Sequence, residues 1–452
     1  MQKYTELLGT APLGRLLIKL SLPGIAATVS TSLYNIVNTI WVTRIGYQAI
    51  AALTIIFPYQ ILTYAIGGGT GIGIAALVSR RFGEKNVEAA NRAAGQIFVI
   101  SVFWGLLFIL TATLFADKIL PILGSRPDIY DYARQYLVIT AFGAPQVIFM
   151  IVTSSLIRGS GDAVKPMIIN ISATLINVVL DPFLIFGIGP FPEMGVAGAA
   201  LGTVIAQTSG ALLGLYYFLA GRTAYRFRLA HLKPDFIILK DIYRVGMPTM
   251  VSQILESVAF LLFNKVVSSF GSMVIASLGI VMRISDFAFM PVMGVCNGML
   301  PIVGYNFGAG LYKRLWQTVK LAAVGIMVFL AAATILMVIF APQIVGIFSQ
   351  DPELSAAAVP VLRIMMSSMV LVGPTMVFIT AIQGLSKGTL ALFLSLLRQF
   401  LIFIPILFLF RYLFGLWGVW WSMPAADTLS FTLVFLFILR EYRKRGQNPA
   451  AG

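Results

Sequence analysis

The chain has 452 residues, of which 59% are hydrophobic and 11% are charged, and its formal net charge is +15. A mean hydropathy of +0.91 excludes a soluble globular protein and indicates a polytopic membrane protein. One crossing takes about 20 apolar residues, so this length accommodates about twelve helices and leaves no room for a soluble domain. We therefore predict an all-α polytopic membrane fold.

The basic residues lie in short loops between apolar runs, where they set membrane topology and do not indicate nucleic-acid binding. With the N-terminus inside, the basic loops at 80–92 and 222–244 and the tail from Arg440 all become cytoplasmic. We therefore expect a multi-pass protein of the inner (plasma) membrane with both termini in the cytoplasm. The start of the chain lacks a small-residue cleavage site, so we expect no removed signal peptide.

Apolar runs separated by turn and charge clusters predict twelve transmembrane helices. The first six lie near 15–43, 48–79, 93–117, 130–156, 165–188 and 196–221, and the second six near 244–268, 273–305, 316–341, 355–382, 389–411 and 416–440.

The two sets of helices are related by an internal repeat with a constant step along the chain. Pro23 and Pro248 are separated by a residue spacing that we call the repeat offset. The same spacing separates Ser32 from Ser257, Gly46 from Gly271, Gly69 from Gly294 and Gly73 from Gly298. Each copy has an even number of helices, so both copies cross the membrane in the same direction, related by an axis along its normal. Two pseudo-symmetric six-helix lobes around a central cleft are typical of alternating-access transporters.

The repeat and the charge pattern together predict the domain organisation. We expect an N-lobe at 1–221, a cytoplasmic connector at 222–244, a C-lobe at 245–441 and a cytoplasmic tail at 442–452. The end of the connector, PDFIILKDIYR, has the pattern of an interfacial amphipathic helix.

The stretch LINVVLDP, residues 175–182, places an aspartate inside a predicted membrane helix. A carboxylate in hydrocarbon costs about 2.5 to 3.5 kcal/mol, so Asp181 should face protein or water. Asn177 precedes Asp181 by four residues and shares its helix face. Counting from the helix ends brings Asn38 and Thr203 to the same depth, which predicts a polar pocket that binds a cation or a proton. The alternative is that Asp181 only bonds backbone freed by Pro182.

The second lobe carries a different set of charges near mid-membrane, namely Glu256, Arg283, Asp286, Arg398 and Asp427. Arg283 and Asp286 are three residues apart, so a structural ion pair between them is an alternative to a role in transport. Glu256 has no obvious local partner and is a second candidate for ion coupling.

Aromatic and polar side chains in both lobes are candidates to line a cavity for a flat organic cation. The candidate cavity residues are Tyr34, Gln253, Arg283, Asp286 and Asp427.

Several kinds of site are excluded by missing residues. The sole histidine, His231, lies in the connector, and no Walker A sequence occurs, so histidine metal clusters and ATP hydrolysis are excluded. The lone cysteine, Cys296, excludes an internal disulfide. We expect no cofactor and no bound metal beyond a possible Na⁺ at Asp181 or Glu256. The energy for transport would come from H⁺ or Na⁺ as the coupling ion.

Several motifs together resemble the multidrug and toxic compound extrusion (MATE) family along essentially the whole chain. They are SLPGIAATVSTSLYNIVNTIWV at 21–42, RGSGDAVKP at 158–166, INVVLDP at 176–182, GVAGAALGT at 195–203, VGMP at 245–248 and GYNFGAG at 304–310. The resemblance implies a two-lobed, twelve-helix antiporter that expels cationic, amphipathic compounds in exchange for sodium ions or protons.

Features of two branches of this family are mixed in the chain. Asn177, Asp181 and Thr203 match the first-lobe site of the DinF-like branch, but Asn38 stands where that branch has an aspartate. Glu256 follows Pro248 by eight residues, as a glutamate does in the NorM-like branch, whereas the helix-ten acid of that branch is missing from 370–377.

Our leading hypothesis is a secondary antiporter that exports small amphipathic organic cations by alternating access of its lobes. We expect it to be a monomer whose other partners are membrane lipids. The main alternative keeps the fold but moves a lipid-linked oligosaccharide, as related flippases do. Such a flippase would line its cleft with several basic residues. A membrane enzyme or receptor is a third interpretation, although no catalytic set of recognisable spacing occurs.

Overall fold

Helices make up nearly all of the chain in the computed structural model, which describes residues 2–349 and 351–446. No β-strand occurs in these two ranges. The helices of the first half are α1 (Gln2–Thr10), α2 (Leu13–Thr43), α3 (Tyr47–Gly83), α4 (Val87–Leu114), α5 (Ala116–Ile122), α6 (Tyr130–Phe142), α7 (Ala144–Gly159), α8 (Val164–Phe186) and α9 (Gly195–Leu219).

The second half begins after a 3₁₀ turn at Leu229–Leu232 and a short extended segment. Its helices are α10 (Phe236–Ser268), α11 (Ser272–Gly308), α12 (Tyr312–Ile339), α13 (Ala341–Phe348), α14 (Pro352–Ser367), α15 (Met369–Gly384), α16 (Gly388–Leu396) and α17 (Phe403–Gly446), with a π-helical segment at Leu397–Ile402 between the last two.

Twelve crossings account for these helices, as the sequence predicts. Nine stretches of the described chain are long and apolar enough to span a membrane, and two further crossings are the bent pairs α6 with α7 and α14 with α15. The last stretch, Gly388–Arg443, has 56 residues, which at 1.5 Å per residue is about 84 Å, far more than the roughly 30 Å of one bilayer core. It divides at Gly415, whose φ of 59° and ψ of −136° interrupt the helix.

The sequence repeat extends to the ends of the helices. The bounds of α3, α4 and α7 reappear at the repeat offset as the bounds of α11, α12 and α15. The two bends, of 47° and 43°, fall at Gly143 and Ser368, which are related by the same offset. Gly46 and Gly271 precede α3 and α11 with φ of 135° and 116°, values that only glycine adopts readily. Both halves therefore fold by the same local rules.

The chain forms two compact units, each built from two separate segments. The first comprises the chain up to Leu8 together with Ala26–Met250, and the second comprises Gly9–Ile25 together with the chain from Val251 onward. The chain passes between units within α2 and within α10, in each case two residues after a proline, Pro23 or Pro248. These bounds differ from the predicted lobes, because the first half of each of these helices packs in the unit opposite to its second half.

Glycines that the repeat singles out allow this exchange of helix halves. In the first unit, a Cβ on Gly73 of α3 would overlap the backbone of Ile242 and Gly246 in the first half of α10. In the second unit, a Cβ on Gly298 of α11 would overlap the backbone of Ser21 in the first half of α2. Backbone cannot move aside as a flexible side chain can, so both positions require glycine for close packing.

The end of the predicted connector is helical. Most of the PDFIILKDIYR stretch forms the start of α10, which begins at Phe236 and continues without a break, and its interfacial position stays a prediction. Asp235 caps this start by accepting hydrogen bonds from the backbone of Ile237 and Ile238. Upstream, Gln96 of α4 donates to the carbonyl oxygens of His231 and Lys233 at 3.1 and 2.9 Å. The connector is therefore bonded to the first unit.

Replacing Gly73 or its repeat mate Gly298 by alanine should destabilise the protein by about 1–3 kcal/mol, since each new methyl meets backbone in a packed interface. The thermal unfolding midpoint of the purified protein in detergent measures this effect. Gly325→Ala is the matched control, because a Cβ at Gly325 meets nothing within 4 Å. An unchanged midpoint in both test variants would contradict the packing argument.

Candidate functional site

Asp181 lies on α8 and is fully buried, with 0% of its surface exposed. Its Oδ1 accepts a hydrogen bond from Asn177 Nδ2 at 2.6 Å, one helical turn earlier on the same face. Its Oδ2 is buried and has no hydrogen-bond partner among the described residues. A buried carboxylate normally accepts several hydrogen bonds, so this arrangement leaves one oxygen free to bind a cation or a proton.

Close packing of α9 against α8 encloses the carboxylate. Gly202 of α9 lies over the side chains of Asp181 and Asn177, and a Cβ on it would overlap Asp181 Oδ1. One turn earlier, a Cβ on Gly198 would overlap the carbonyl of Leu184. The stretch GVAGAALGT is therefore a glycine-lined face that admits the polar groups of α8 between two helices.

Asn38 and Thr203, the other predicted members of this site, connect through Tyr34 on α2. Asn38 Nδ2 donates to the Tyr34 hydroxyl at 3.1 Å, and Tyr34 lies within hydrogen-bonding reach of Thr203 and interacts electrostatically with Asp181. The Oδ1 atom of Asn38 is buried without a partner in the described chain. Tyr34, which was predicted to line a substrate cavity, thus belongs to the same polar pocket.

Four further polar side chains surround this pocket and were not predicted from the sequence. Gln60 donates to the hydroxyl of Tyr136 at 3.2 Å, and Gln207 donates to the hydroxyl of Tyr64 at 3.2 Å. Tyr136 also interacts electrostatically with Asp181. A glutamine or tyrosine in an apolar segment is a weaker signal than an acid, because both are tolerated at many membrane positions.

The pocket contains acceptor oxygens that receive no hydrogen bond in the described chain. Two buried oxygens, Asp181 Oδ2 and Asn38 Oδ1, lack donors within the described part of the chain. The basic residue of α8, Lys165, lies in the first turn of the helix and pairs with Asp162. The alternative role for Asp181, bonding backbone freed by Pro182, has no counterpart among its hydrogen bonds, since its partner is the side chain of Asn177. The geometry suits a small cation or a proton.

The charged candidates on α10 and α11 are exposed side chains. Arg283 and Asp286 are both exposed and form no ion pair within 4 Å in the described chain, so the structure gives no support to the alternative of a structural ion pair between them. Glu256 is exposed, and Gln253 is half-buried one turn before it. The structure assigns no hydrogen bond or ion pair to these four side chains among the residues it describes, and their roles stay predictions.

Asp427 instead forms a partly buried ion pair with Arg398. Arg398 Nε lies 3.0 Å from Asp427 Oδ1, and the Ser368 hydroxyl donates to Asp427 Oδ2 at 2.9 Å. Arg398 lies in the π-helical segment, a local feature frequent at functional sites. The two charges lie on separate crossings, so helix periodicity alone does not pair them. A place for Asp427 in a substrate cavity stays a prediction.

Comparisons with known proteins identify the family. The family model described as MatE matches twice, at residues 23–183 and 248–409, and the two matches begin at Pro23 and Pro248, which the repeat offset relates. The chain belongs to the MatE family. As a MATE protein it is a member of a transporter family and not of an enzyme family.

Curated relatives cover nearly the whole chain. The chain is 30% identical over 426 residues to the multidrug export protein MepA of Staphylococcus haemolyticus, covering 94% of this chain and 93% of the relative. It is 29% identical over 437 residues to MepA of Staphylococcus aureus, covering 95% of each. The similarity includes both halves of the MATE fold.

Solved structures share the fold. An outward-facing multidrug resistance MATE transporter of the MOP superfamily aligns with a TM-score of 0.93 at 25% identity, over 99% of both chains. A MOP superfamily transporter from Pyrococcus furiosus, whose binding pocket is described as having reverse polarity, aligns with a TM-score of 0.92 at 25% identity, over 99% of both chains. The twelve-helix, two-lobe MATE architecture predicted from the sequence is confirmed.

The ion pair between Arg398 and Asp427 gives a prediction about stability. Arg398→Met leaves the partly buried Asp427 carboxylate without its counter-charge and should destabilise the protein by up to about 3 kcal/mol, the low end of the range for fully buried pairs. The double variant Arg398→Met/Asp427→Leu should recover most of the loss, because it removes both charges. Thermal unfolding in detergent measures both. If the single variant is as stable as the double one, the pair does not neutralise Asp427 as described.

Proposed function

We propose that this MATE protein is a secondary antiporter that exports amphipathic organic cations in exchange for H⁺ or Na⁺ by alternating access of its two lobes. The observation that carries the proposal is the buried carboxylate of Asp181, whose Oδ2 has no partner in the described chain, together with the unpartnered Oδ1 of Asn38 in the same pocket. Relatives along the full chain are named multidrug export proteins, which supports drugs as the cargo. The plasma membrane, with both termini in the cytoplasm, is the corresponding location.

The coupling step follows from the energy of the buried charge. An ionised Asp181 in a closed, apolar lobe is costly, by about 2.5–3.5 kcal/mol on insertion scales. A proton on Oδ2, or a sodium ion held by Oδ2 and the Asn38 carbonyl oxygen, removes or balances that charge. The loaded lobe therefore favours a more closed packing of its helices than the empty lobe, and this difference links the ion gradient to cargo release.

Asn38 limits the chemistry of the pocket to one titratable carboxylate. A helix-one aspartate would allow two carboxylates to share a proton, whereas an asparagine supplies a neutral oxygen and an N–H donor. Its N–H already donates to Tyr34, so the oxygen is the group that faces the pocket unpaired. Glu256, exposed on α10, remains the second candidate for the coupling role.

The ion pair between Arg398 and Asp427 weakens the flippase alternative. A carrier of a pyrophosphate-linked oligosaccharide needs several free cations, but the Arg398 guanidinium is already paired with Asp427. Arg283 then remains as the exposed cation among the second-lobe candidates considered. One arginine is a weak basis for pyrophosphate recognition.

Asp181→Asn should reduce ion-driven efflux to the level of empty liposomes, because the side chain can no longer be protonated or carry a negative charge. The measurement is efflux of a fluorescent organic cation from proteoliposomes, with a pH gradient and a sodium gradient imposed separately. Glu256→Gln is measured in parallel. Efflux at the wild-type rate in Asp181→Asn would exclude Asp181 as the coupling residue, and loss only in Glu256→Gln would transfer that role to Glu256.

Gly202→Ala tests the geometry of the pocket without changing a charge. The added methyl overlaps Asp181 Oδ1 and should cost about 1–3 kcal/mol, and a loss of this size at the binding site corresponds to roughly 5- to 150-fold in the affinity for the coupling ion. The concentration of H⁺ or Na⁺ that gives half-maximal efflux measures this change. Gly325→Ala is the control, because it makes the same substitution at a position where the new methyl group meets no atom within 4 Å. An unchanged half-maximal concentration in Gly202→Ala would place the ion elsewhere.

A further inference from the structure

A large cavity lies in the second unit, and neither Arg398 nor Asp427 lines it. Its volume is about 1140 Å³, and it is lined by the first half of α12, by Phe378 of α15 and by the last part of α17. Small-molecule sites usually have volumes of about 300–1,000 Å³, so this cavity is larger than most of them. Nothing in the proposed transport mechanism uses it.

One end of the cavity is basic and the other is apolar. Lys313 and Lys320 of α12 line it, are both exposed, and have no ion-pair partner among the described residues. They are seven residues apart, so they lie on one face of the helix about 10 Å apart along its axis. Deeper in the membrane segment the lining becomes apolar, with Val324, Phe378 and Phe435.

A buried hydrogen-bond donor lines the same cavity. Trp316 is 6% exposed, and its indole Nε1 has no hydrogen-bond partner in the described chain. Its ring packs edge to face against Tyr442 near the end of α17, with 5.7 Å between ring centroids. A buried indole N–H without an acceptor in the described chain is a donor that a ligand oxygen can satisfy. Arg314 is not available for this role, because it donates to the carbonyl of Ala11.

We propose that this cavity binds an anionic phospholipid, with the phosphate between Lys313 and Lys320, an oxygen of the headgroup or ester region accepting from Trp316, and acyl chains along the apolar wall. Basic pockets between helices near a membrane surface bind anionic headgroups, and the wall below them matches acyl chains in polarity. Two exposed lysines repel a cationic cargo, so the cavity is distinct from the proposed transport path. The inference is independent of which ion drives transport.

The test compares the lipid bound to wild-type protein with that bound to Lys313→Gln/Lys320→Gln. Each protein is reconstituted in phosphatidylcholine nanodiscs with and without phosphatidylglycerol, re-extracted in mild detergent, and its retained lipid is counted by native mass spectrometry. We expect retained phosphatidylglycerol to fall roughly tenfold in the double glutamine variant, because two favourable charges are lost. Trp316→Phe, which keeps the ring but removes the N–H, should reduce it by a smaller factor.

Two matched variants separate the site from general charge. Lys233→Gln/Lys240→Gln removes two exposed lysines that are also seven residues apart, from the connector and the start of α10, and should leave the retained lipid unchanged. Lys313→Arg/Lys320→Arg keeps both charges and should also retain it. If the double glutamine variant cannot be purified, the test compares the phosphatidylglycerol retained by the arginine variant with that retained by Trp316→Phe.

Three results would overturn the proposal. The first is equal retention of phosphatidylglycerol by the wild type and by both the glutamine and Trp316→Phe variants. The second is equal retention of phosphatidylcholine with the same dependence on Lys313 and Lys320. The third is a rise in the unfolding midpoint with inorganic phosphate in lipid-free detergent that equals the rise with phosphatidylglycerol, since that would make the ligand a free anion.

Discussion

The close approach of backbone at four glycines is the constraint on which the architecture depends. Gly69 and Gly73 of α3 admit the first half of α10, and Gly294 and Gly298 of α11 admit the first half of α2. In a membrane the hydrophobic effect does not hold helices together, so contacts of this kind, with small residues at the interface, carry the packing. The result is that each unit contains half of a helix whose other half belongs to the other unit.

The same physical device builds the polar pocket. Gly202 has no Cβ, and this lets α9 lie directly over Asp181 and Asn177 instead of leaving a water-filled gap. A carboxylate enclosed in this way, with one oxygen lacking a donor, is stable only when a proton or cation reaches it. In the proposed antiport mechanism, the coupling ion acts on the cost of burying this charge, and the packing of two helices sets that cost.

The two halves share the same helix pattern, but their polar and charged residues differ. The repeat offset relates Asn38 to Phe263, a fully buried core residue, and relates Glu256 to Thr31. The second unit places its partly buried charge in the Arg398–Asp427 pair, where an arginine already neutralises the acid. An unpaired buried acid in one unit and a paired, partly buried one in the other give the two halves different electrostatic roles within one fold.

Local patterns in the chain were enough to predict the membrane class, the twelve crossings, the internal repeat and the pairing of Asn177 with Asp181. These depend on hydropathy, on helix periodicity and on residues one turn apart, which are all local properties. Only the packed fold shows that α10 starts at Phe236, that Gly202 encloses Asp181, and that Asp427 pairs with Arg398. It also shows no ion pair within 4 Å between Arg283 and Asp286 in the described chain. The reason is that contacts between crossings depend on how each helix is rotated and how closely it packs, and no local pattern encodes either quantity.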